Sequence, residues 1–197
     1  MASAPARKVL VINGHPDPSP DRLCSALARA YAEGAMEAGL QVRRLSIGEM
    51  TFPLVRTATE FAAPARDQTI LDAQQDFTWA DHVVLVHPLW LGSEPAMLKA
   101  FLEQVLRYGF ALPAEGMRLR GLLKGRSIRL VVTMGMPAMA YRLAFGGPGL
   151  KALMPMAFFI SGFWPIRIRL IGGVGSASAA KRAGWLGQMR RFGRRGR

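Results

Sequence analysis

Three short stretches of the 197-residue chain place glycine, proline, aromatic and hydroxyl groups directly after runs of aliphatic residues. The first, residues 14–20, reads Gly-His-Pro-Asp-Pro-Ser-Pro and leads into an amphipathic segment. A helix that begins there offers open backbone N–H groups and the positive end of its dipole, which together hold a phosphate. His15 and Arg22 add side-chain donors, although a histidine in a turn serves equally well as a purely structural group. The stretch lacks both GxGxxG and the Gly-Lys-Ser/Thr of a nucleotide-hydrolysing loop. That disfavours an NTP, or a dinucleotide bound in the Rossmann manner.

The second stretch is Pro88-Leu89-Trp90-Leu91-Gly92-Ser93. Apolar and aromatic groups exposed at a strand end are costly unless something flat and apolar covers them. A flavin ring fits that description; ordinary packing of Trp90 against a neighbouring helix fits equally. The third stretch, Thr133-Met134-Gly135-Met136-Pro137, is followed at a short distance by Tyr141. Gly135 permits close backbone approach to a ring, and Thr133 brings a hydroxyl. A Tyr141 hydroxyl at a flavin edge would bond an acceptor oxygen; a core-facing phenol is the plainer alternative. No His/Cys cluster with metal-ligand spacing is present, so no metal is expected.

These stretches need elements to position them. Apolar runs at 8–13, 82–87, 127–134 and 167–171, and an alternating segment at 41–46, read as strands. Helical periodicity covers 21–39, 68–80, 94–108, 149–161 and 176–192, the last capped by Ser176 or Ser178. Residues 48–67 form a long excursion without a clean period. The alternation predicts a single α/β domain over 1–197, a parallel five-stranded sheet with helices on both faces. Such sheets bind ligands beyond the carboxyl ends of their strands, where the three stretches lie.

Composition narrows the class. Half of the residues are apolar, enough for a core. The single cysteine, Cys24, excludes an intramolecular disulfide framework and makes a reducing cytoplasm the simplest compartment. No leader-like segment precedes the first apolar run. The longest apolar segment, 152–166, is too short to span a bilayer and contains Pro155 and Pro165. It reads as a buried helix running into a strand, with contact at a membrane surface as the alternative. Net charge is +13, yet residues 1–115 carry 10 basic and 13 acidic groups, whereas 116–197 carry 16 basic and none acidic. The second part therefore attracts anions, unless its charge is simply a solvated tail at 190–197 plus scattered arginines. Charge alone, without a helix-turn-helix, RNP-like or zinc signature, gives no expectation of a nucleic-acid partner.

In their order and spacing the stretches resemble the NAD(P)H:quinone oxidoreductases of the flavodoxin-like superfamily, which include bacterial drug-activity modulators and ancillary subunits of potassium-efflux systems. The resemblance runs over about 7–190 and is strongest over 79–105, where His87-Pro88-Leu89-Trp90 and Pro95-Ala96-Met97-Leu98-Lys99 stand. The opening Val9-Leu10-Val11-Ile12-Asn13-Gly14-His15-Pro16 matches as well. The resemblance implies a three-layer sandwich with strand order 2-1-3-4-5. It implies a bound flavin (FMN or FAD, left open) and NAD(P)H as co-substrate. His15 takes the position that contacts the flavin phosphate. Arg22, Leu23 and Cys24 occupy the stretch beside it, with Arg22 and Cys24 departing from the family's Ser and Asn. Pro88, Leu89, Trp90 and Leu91 match the ring-contacting loop. Thr133, Met134, Gly135 and Met136 match a Thr-Thr-Gly-Gly motif, with Met134 and Met136 as replacements. Tyr141 keeps the family tyrosine's spacing and is the candidate proton donor, while the histidine some members place after it is absent.

The activity that the resemblance implies is a ping-pong, two-electron reduction of quinones or similar electrophiles, with the basic second part favouring NADPH. The other reading is a regulatory or ancillary subunit with little activity, bound to a transporter or a membrane surface. The family also pairs as homodimers; residues 150–163 are apolar enough for that interface, or for an internal helix.

Overall fold

Strands that read apolar at every position must be covered on both faces, and the middle of this sheet is built that way. The computed structural model describes residues 6–113 and 121–196. Residues 1–5 of the stretch read as lacking a leader, Glu115, Arg118 and Arg120 at the charge boundary, and Arg197 of the basic tail lie outside them. Five strands, β1 (Lys8–Asn13), β2 (Gln41–Ser46), β3 (His82–Pro88), β4 (Ser127–Thr133) and β5 (Ile166–Ile171), pair in parallel in the order β2-β1-β3-β4-β5. This is the expected flavodoxin-like order. Every residue of β3 and β4 is buried, whereas the edge strands β2 and β5 are largely exposed or half-buried.

Register sorts the side chains into two cores. Leu10, Ile12, Val83, Leu85, Ile128 and Leu130 share one face. There they pack beneath α3 (Gln68–Trp79), α4 (Ala96–Val105) and the chain crossing to β5. Val9, Val11, Val84, Val86, Val131 and Ile171 share the other, beneath α1 (Leu23–Glu37) and α7 (Ala179–Arg194). Each such side chain contributes roughly 1.5–3 kcal/mol by leaving water.

The helices α1 and α7 approach closely because glycines face each other. A Cβ on Gly34 would stand 2.1 Å from the Arg190 carbonyl oxygen, and one on Gly193 would stand 2.1 Å from that of Tyr31. Arg190 and Arg194 both pair with Glu37 across this seam, Arg194 at 2.9 Å. Their hydrogen bonds hold the Glu37 carboxyl down to about 2. The segment expected to be a solvated basic tail from 190 is thus helical through Arg194, with two of its arginines engaged. Ser178 caps α7 by accepting from the Lys181 N–H, as one of the two expected caps.

Elsewhere the element ends shift by up to three residues from expectation. The excursion at 48–67 contains a 3-10 turn at Ile47–Glu49 and a short helix, α2 (Ala58–Ala62), closed by a Thr57/Glu60 capping box. The crossing from β4 to β5 differs more. Where one helix over 149–161 is expected, the chain forms α5 (Ala138–Leu143), α6 (Pro148–Ala152) and a wide π-type turn, Leu153–Phe159. Pro155 has no N–H to give the ladder, and the Ile160 N–H reaches back five residues to the Pro155 carbonyl. Of this apolar crossing, Leu153, Phe158 and Phe163 are buried while Met156 and Phe159 are exposed. It is an internal element with one apolar face outward. No helix among the described residues is long and apolar enough to cross a membrane.

Candidate functional site

The three stretches meet at one rim, beyond the carboxyl ends of β1, β3 and β4. Adjacent strands in parallel register bring them there. Side-chain bonds then fix each turn.

The first turn is held from within. Asn13 accepts from the His15 N–H at 3.3 Å and donates to the Ser25 hydroxyl at 3.1 Å, while Ser25 donates to the Ser19 carbonyl at 2.9 Å. Gly14 donates to the Val86 carbonyl at 2.7 Å and stands where a Cβ would meet Leu98 at 2.8 Å. His15 Nδ1 lies 3.0 Å from both the N–H and the carbonyl oxygen of Asp17, so the backbone of the turn holds that nitrogen in either tautomer. Burial holds the imidazole below its ordinary pKa. Arg22, exposed, pairs with Asp17 at 2.5 Å. The Ser19 N–H first, and the Arg22 guanidinium second, hold the Asp17 carboxyl below the usual carboxylate range. Helix α1 begins at Leu23 with Arg22 as its N-cap, and no side chain caps it. Its first-turn N–H groups therefore face outward without a side-chain acceptor.

The second turn is a tight reversal. Trp90 and Ser93 exchange backbone bonds at 2.9 and 3.0 Å, and both residues between them are left-handed, Leu91 at φ 49° and Gly92 at φ 85°. Leu91 carries backbone strain there and projects fully into solvent. Trp90 is about half exposed, at 49%. Pro88, buried, ends β3, and the Leu89 N–H donates to the Thr133 carbonyl at 2.7 Å, tying this turn to the third.

In the third turn Thr133 and Met134 are buried, whereas Gly135 and Met136 face solvent. Nothing stands within 4 Å of where a Cβ on Gly135 would be. Met134 turns inward onto Val132 and Tyr141, so Met136 is the methionine that this turn presents to solvent.

Two further contacts bind the turns to one another. The rings of His15 and Trp90 meet edge to face with centroids 5.7 Å apart. Cys24 Sγ lies 3.3 Å from Thr133 Oγ1. Burial pushes the Cys24 thiol up to about 11, so it is a neutral packing group.

Tyr141 departs from the expected proton donor. Its ring is 1% exposed, and its hydroxyl donates to the Gly92 carbonyl and accepts from the Gly149 N–H, each at 3.1 Å. Both bonding directions are filled by backbone, so the phenol braces the second turn against α6. Asn13, Asp17 and Ser25, absent from the sequence-based site, shape the first turn through the bonds above. Only the Asn-Gly and Asp-Pro-Ser pattern, typical of side-chain-stabilised turns, points to them in the sequence.

The rim is an open shelf. A cavity of about 300 Å³ opens beside the first turn toward β2, with Asn13, Ser25, Arg29 and Arg44 in its walls. The shelf suits a ligand with a phosphate at one end and a flat ring at the other. The uncapped α1 start and the His15 ring would meet the phosphate, and the open space over Gly135 would receive the ring. The residues present thus fit a flavin. Among the described residues no His/Cys/Asp/Glu cluster could hold a metal.

Comparison with known proteins adds three findings. Residues 7–191 match a family described as having a flavodoxin-like fold. An uncharacterized NAD(P)H oxidoreductase of Haemophilus influenzae is 32% identical over 129 residues, 64% of this chain and 63% of that protein. The human ribosyldihydronicotinamide dehydrogenase [quinone] is 40% identical over 72 residues, 36% of this chain and 31% of that one. The matched region thus spans less than two thirds of either relative. Among solved structures, an FMN-dependent NADH-azoreductase of Bacillus anthracis in complex with FMN superposes with a TM-score of 0.76 at 17% identity, covering 96% of this chain and 98% of that one. That likeness is one of fold.

Proposed function

The chain belongs to Flavodoxin_2, the family of the flavodoxin-like fold, and from that premise we propose that it is a flavin-dependent NAD(P)H oxidoreductase that reduces quinones or similar electrophiles by two electrons. The observation that carries the reading is the convergence of three turns on one open rim, joined through His15–Trp90 and Cys24–Thr133. The names of the Haemophilus and human relatives support the substrates. The azoreductase, holding FMN on the same fold, makes FMN the favoured flavin.

In this reading a bound flavin would supply two-electron redox chemistry between NAD(P)H and an acceptor that use one place in turn, a ping-pong scheme. The chain's residues bind and orient. The α1 N-terminus and the His15 imidazole would hold the phosphate, and Arg22, already paired with Asp17, would offset its charge. Leu89, Trp90 and Leu91 from the second turn and Gly135 and Met136 from the third would hold the ring, with Thr133 buried behind them against Cys24. Pro88, Leu23, Cys24 and Met134 set the backbone beneath them. Tyr141 acts as a positioning residue. Protons for the reduced acceptor come from solvent, which the open rim admits.

The test is to release the cofactor of the purified protein by heat, identify it by chromatography, and assay NAD(P)H oxidation with a simple quinone. FMN in the supernatant and quinone-dependent turnover are expected. A colourless protein that neither FMN nor FAD reconstitutes would overturn the enzyme reading and leave the ancillary-subunit role.

A further inference from the structure

A cavity of about 830 Å³ opens at the β5 edge of the sheet, and none of residues 15, 88–91 or 133–136 lines it. Its volume falls within the range of small-molecule sites. The walls come from α5, the turn at 146–147, α6 with the π-type turn, and the middle of β5.

The floor is apolar and incompletely covered. Ile166, Ile168 and Leu170 alternate onto one face of β5; Ile166 and Leu170 are partly buried against the cores, but Ile168 is 37% exposed in mid-strand. Leu150 and Met154 from the crossing and Met139 from α5 complete an aliphatic and thioether lining, with Met139 67% exposed. Mid-strand apolar surface of this kind is stabilised by an occupant that removes it from water.

The mouth is cationic. Arg142 and Lys151 both line it, and neither makes an ion pair or a side-chain hydrogen bond among the described residues. Lys151 Nζ stands 3.3 Å from the point a Cβ on Gly146 would occupy, at the cavity's edge. Arg169 on β5 also contributes to the wall. No carboxylate lines the cavity, and none lies anywhere in the sequence after Glu115. Two cations beside an aliphatic floor, with no anion to neutralise them, match one ligand chemistry.

We propose that this cavity binds a small amphiphilic anion, an aliphatic or aryl body carrying one carboxylate or sulfonate. The body covers Ile168 and Leu150, and the head group meets Arg142 and Lys151. The site is separate from the redox rim and its occupancy does not depend on the redox reading.

The probes are 1-anilinonaphthalene-8-sulfonate, read by fluorescence, and monomeric laurate as its competitor, with dodecanol as the uncharged control. The protein is used as purified, with any cofactor in place. Laurate is expected to displace the fluorophore and dodecanol to do so at least about tenfold less well. The Arg142→Glu/Lys151→Glu variant is expected to weaken laurate by about tenfold or more while leaving the melting temperature without ligand and the flavin content unchanged. Equal displacement by laurate and dodecanol, or an affinity unmoved by the double charge reversal, would overturn the proposal by reducing the site to an apolar patch. Co-sedimentation with phosphatidylglycerol vesicles but not phosphatidylcholine vesicles, without binding of monomeric laurate, would overturn it in favour of a membrane surface.

Discussion

The imidazole of His15 meets the indole of Trp90 edge to face at 5.7 Å, so the turn after β1 and the turn after β3 share one aromatic contact. Neither ring is held there by a larger apolar cluster. An edge-to-face pair contributes roughly 0.5–1.5 kcal/mol beyond its buried area. Trp90→Ala removes that contact together with the apolar surface proposed to flank the ring. The expected outcome is a fold intact by circular dichroism and a flavin affinity lower by about tenfold or more, measured by titrating apoprotein with FMN. An unchanged dissociation constant would place the ring elsewhere.

Tyr141→Phe separates bracing from acid catalysis. The substitution removes a hydroxyl that bonds both the Gly92 carbonyl and the Gly149 N–H, while these two stay bonded to each other at 3.1 Å. Stability should drop by roughly 0.5–1.5 kcal/mol, seen as a lower melting temperature. Turnover with a quinone should keep the pH profile of the parent. A loss of kcat that grows with pH, at unchanged stability, would return the phenol to the role of proton donor.

Two glycines of α7 should respond in opposite directions. Gly193→Ala places a methyl 2.1 Å from the Tyr31 carbonyl and 2.8 Å from the Ala35 nitrogen. Parting α1 from α7 to admit it costs roughly 1–3 kcal/mol in urea unfolding. Gly184→Ala meets nothing within 4 Å and should stabilise by roughly 0.5–1 kcal/mol through helix propensity. Equal effects at both sites would mean that the helices are not in close contact.

At the opposite end of the sheet His82 is fully buried, bonded to the Ser127 hydroxyl at 2.8 Å, with Nε2 unpartnered. Burial first, and the nearby Arg7, Arg129 and Arg167 next, pull its pKa down to about 3 from 6.5. The unfolded chain takes up a proton below its ordinary value, and the folded chain does not until near pH 3. Stability attributable to His82 is therefore fully present above about pH 6.5 and falls as pH drops toward 3, by about 2 kcal/mol at pH 5. Burial depresses His87 in the same direction. Urea midpoints between pH 7 and 4.5 should fall more steeply for the parent than for His82→Asn. Parallel curves would exclude a neutral buried imidazole.

How far the linear chain is legible depends on range. The strands at 8–13 and 41–46 are found with those bounds, because an aliphatic run ending in turn residues and a short alternating segment are both local signals. The five-strand order is legible from the alternation of elements together with the family resemblance. Helix α5 has six residues, under two turns, and no periodic pattern distinguishes it from a strand-end loop. The π-type turn is a response to Pro155 within a packed crossing. Trp90 and Gly135 are identifiable from their residue types, but the inward turn of Met134 and the bonding of Tyr141 depend on partners far away in sequence. The Cys24–Thr133 contact joins residues 109 positions apart, and no local pattern encodes it.

The strand order has an electrical consequence. Because β4 and β5 sit together at one side of the sheet, the carboxylate-free later part of the chain and the mildly acidic earlier part become neighbouring territories of one body. Helix α7 carries five cations of that later part back across α1, where Arg190 and Arg194 meet Glu37, so the positive field covers this face as well as the β5 margin. Approaching a polyanion, the molecule turns its carboxylate-free part forward before any contact is made, and added salt slows that alignment.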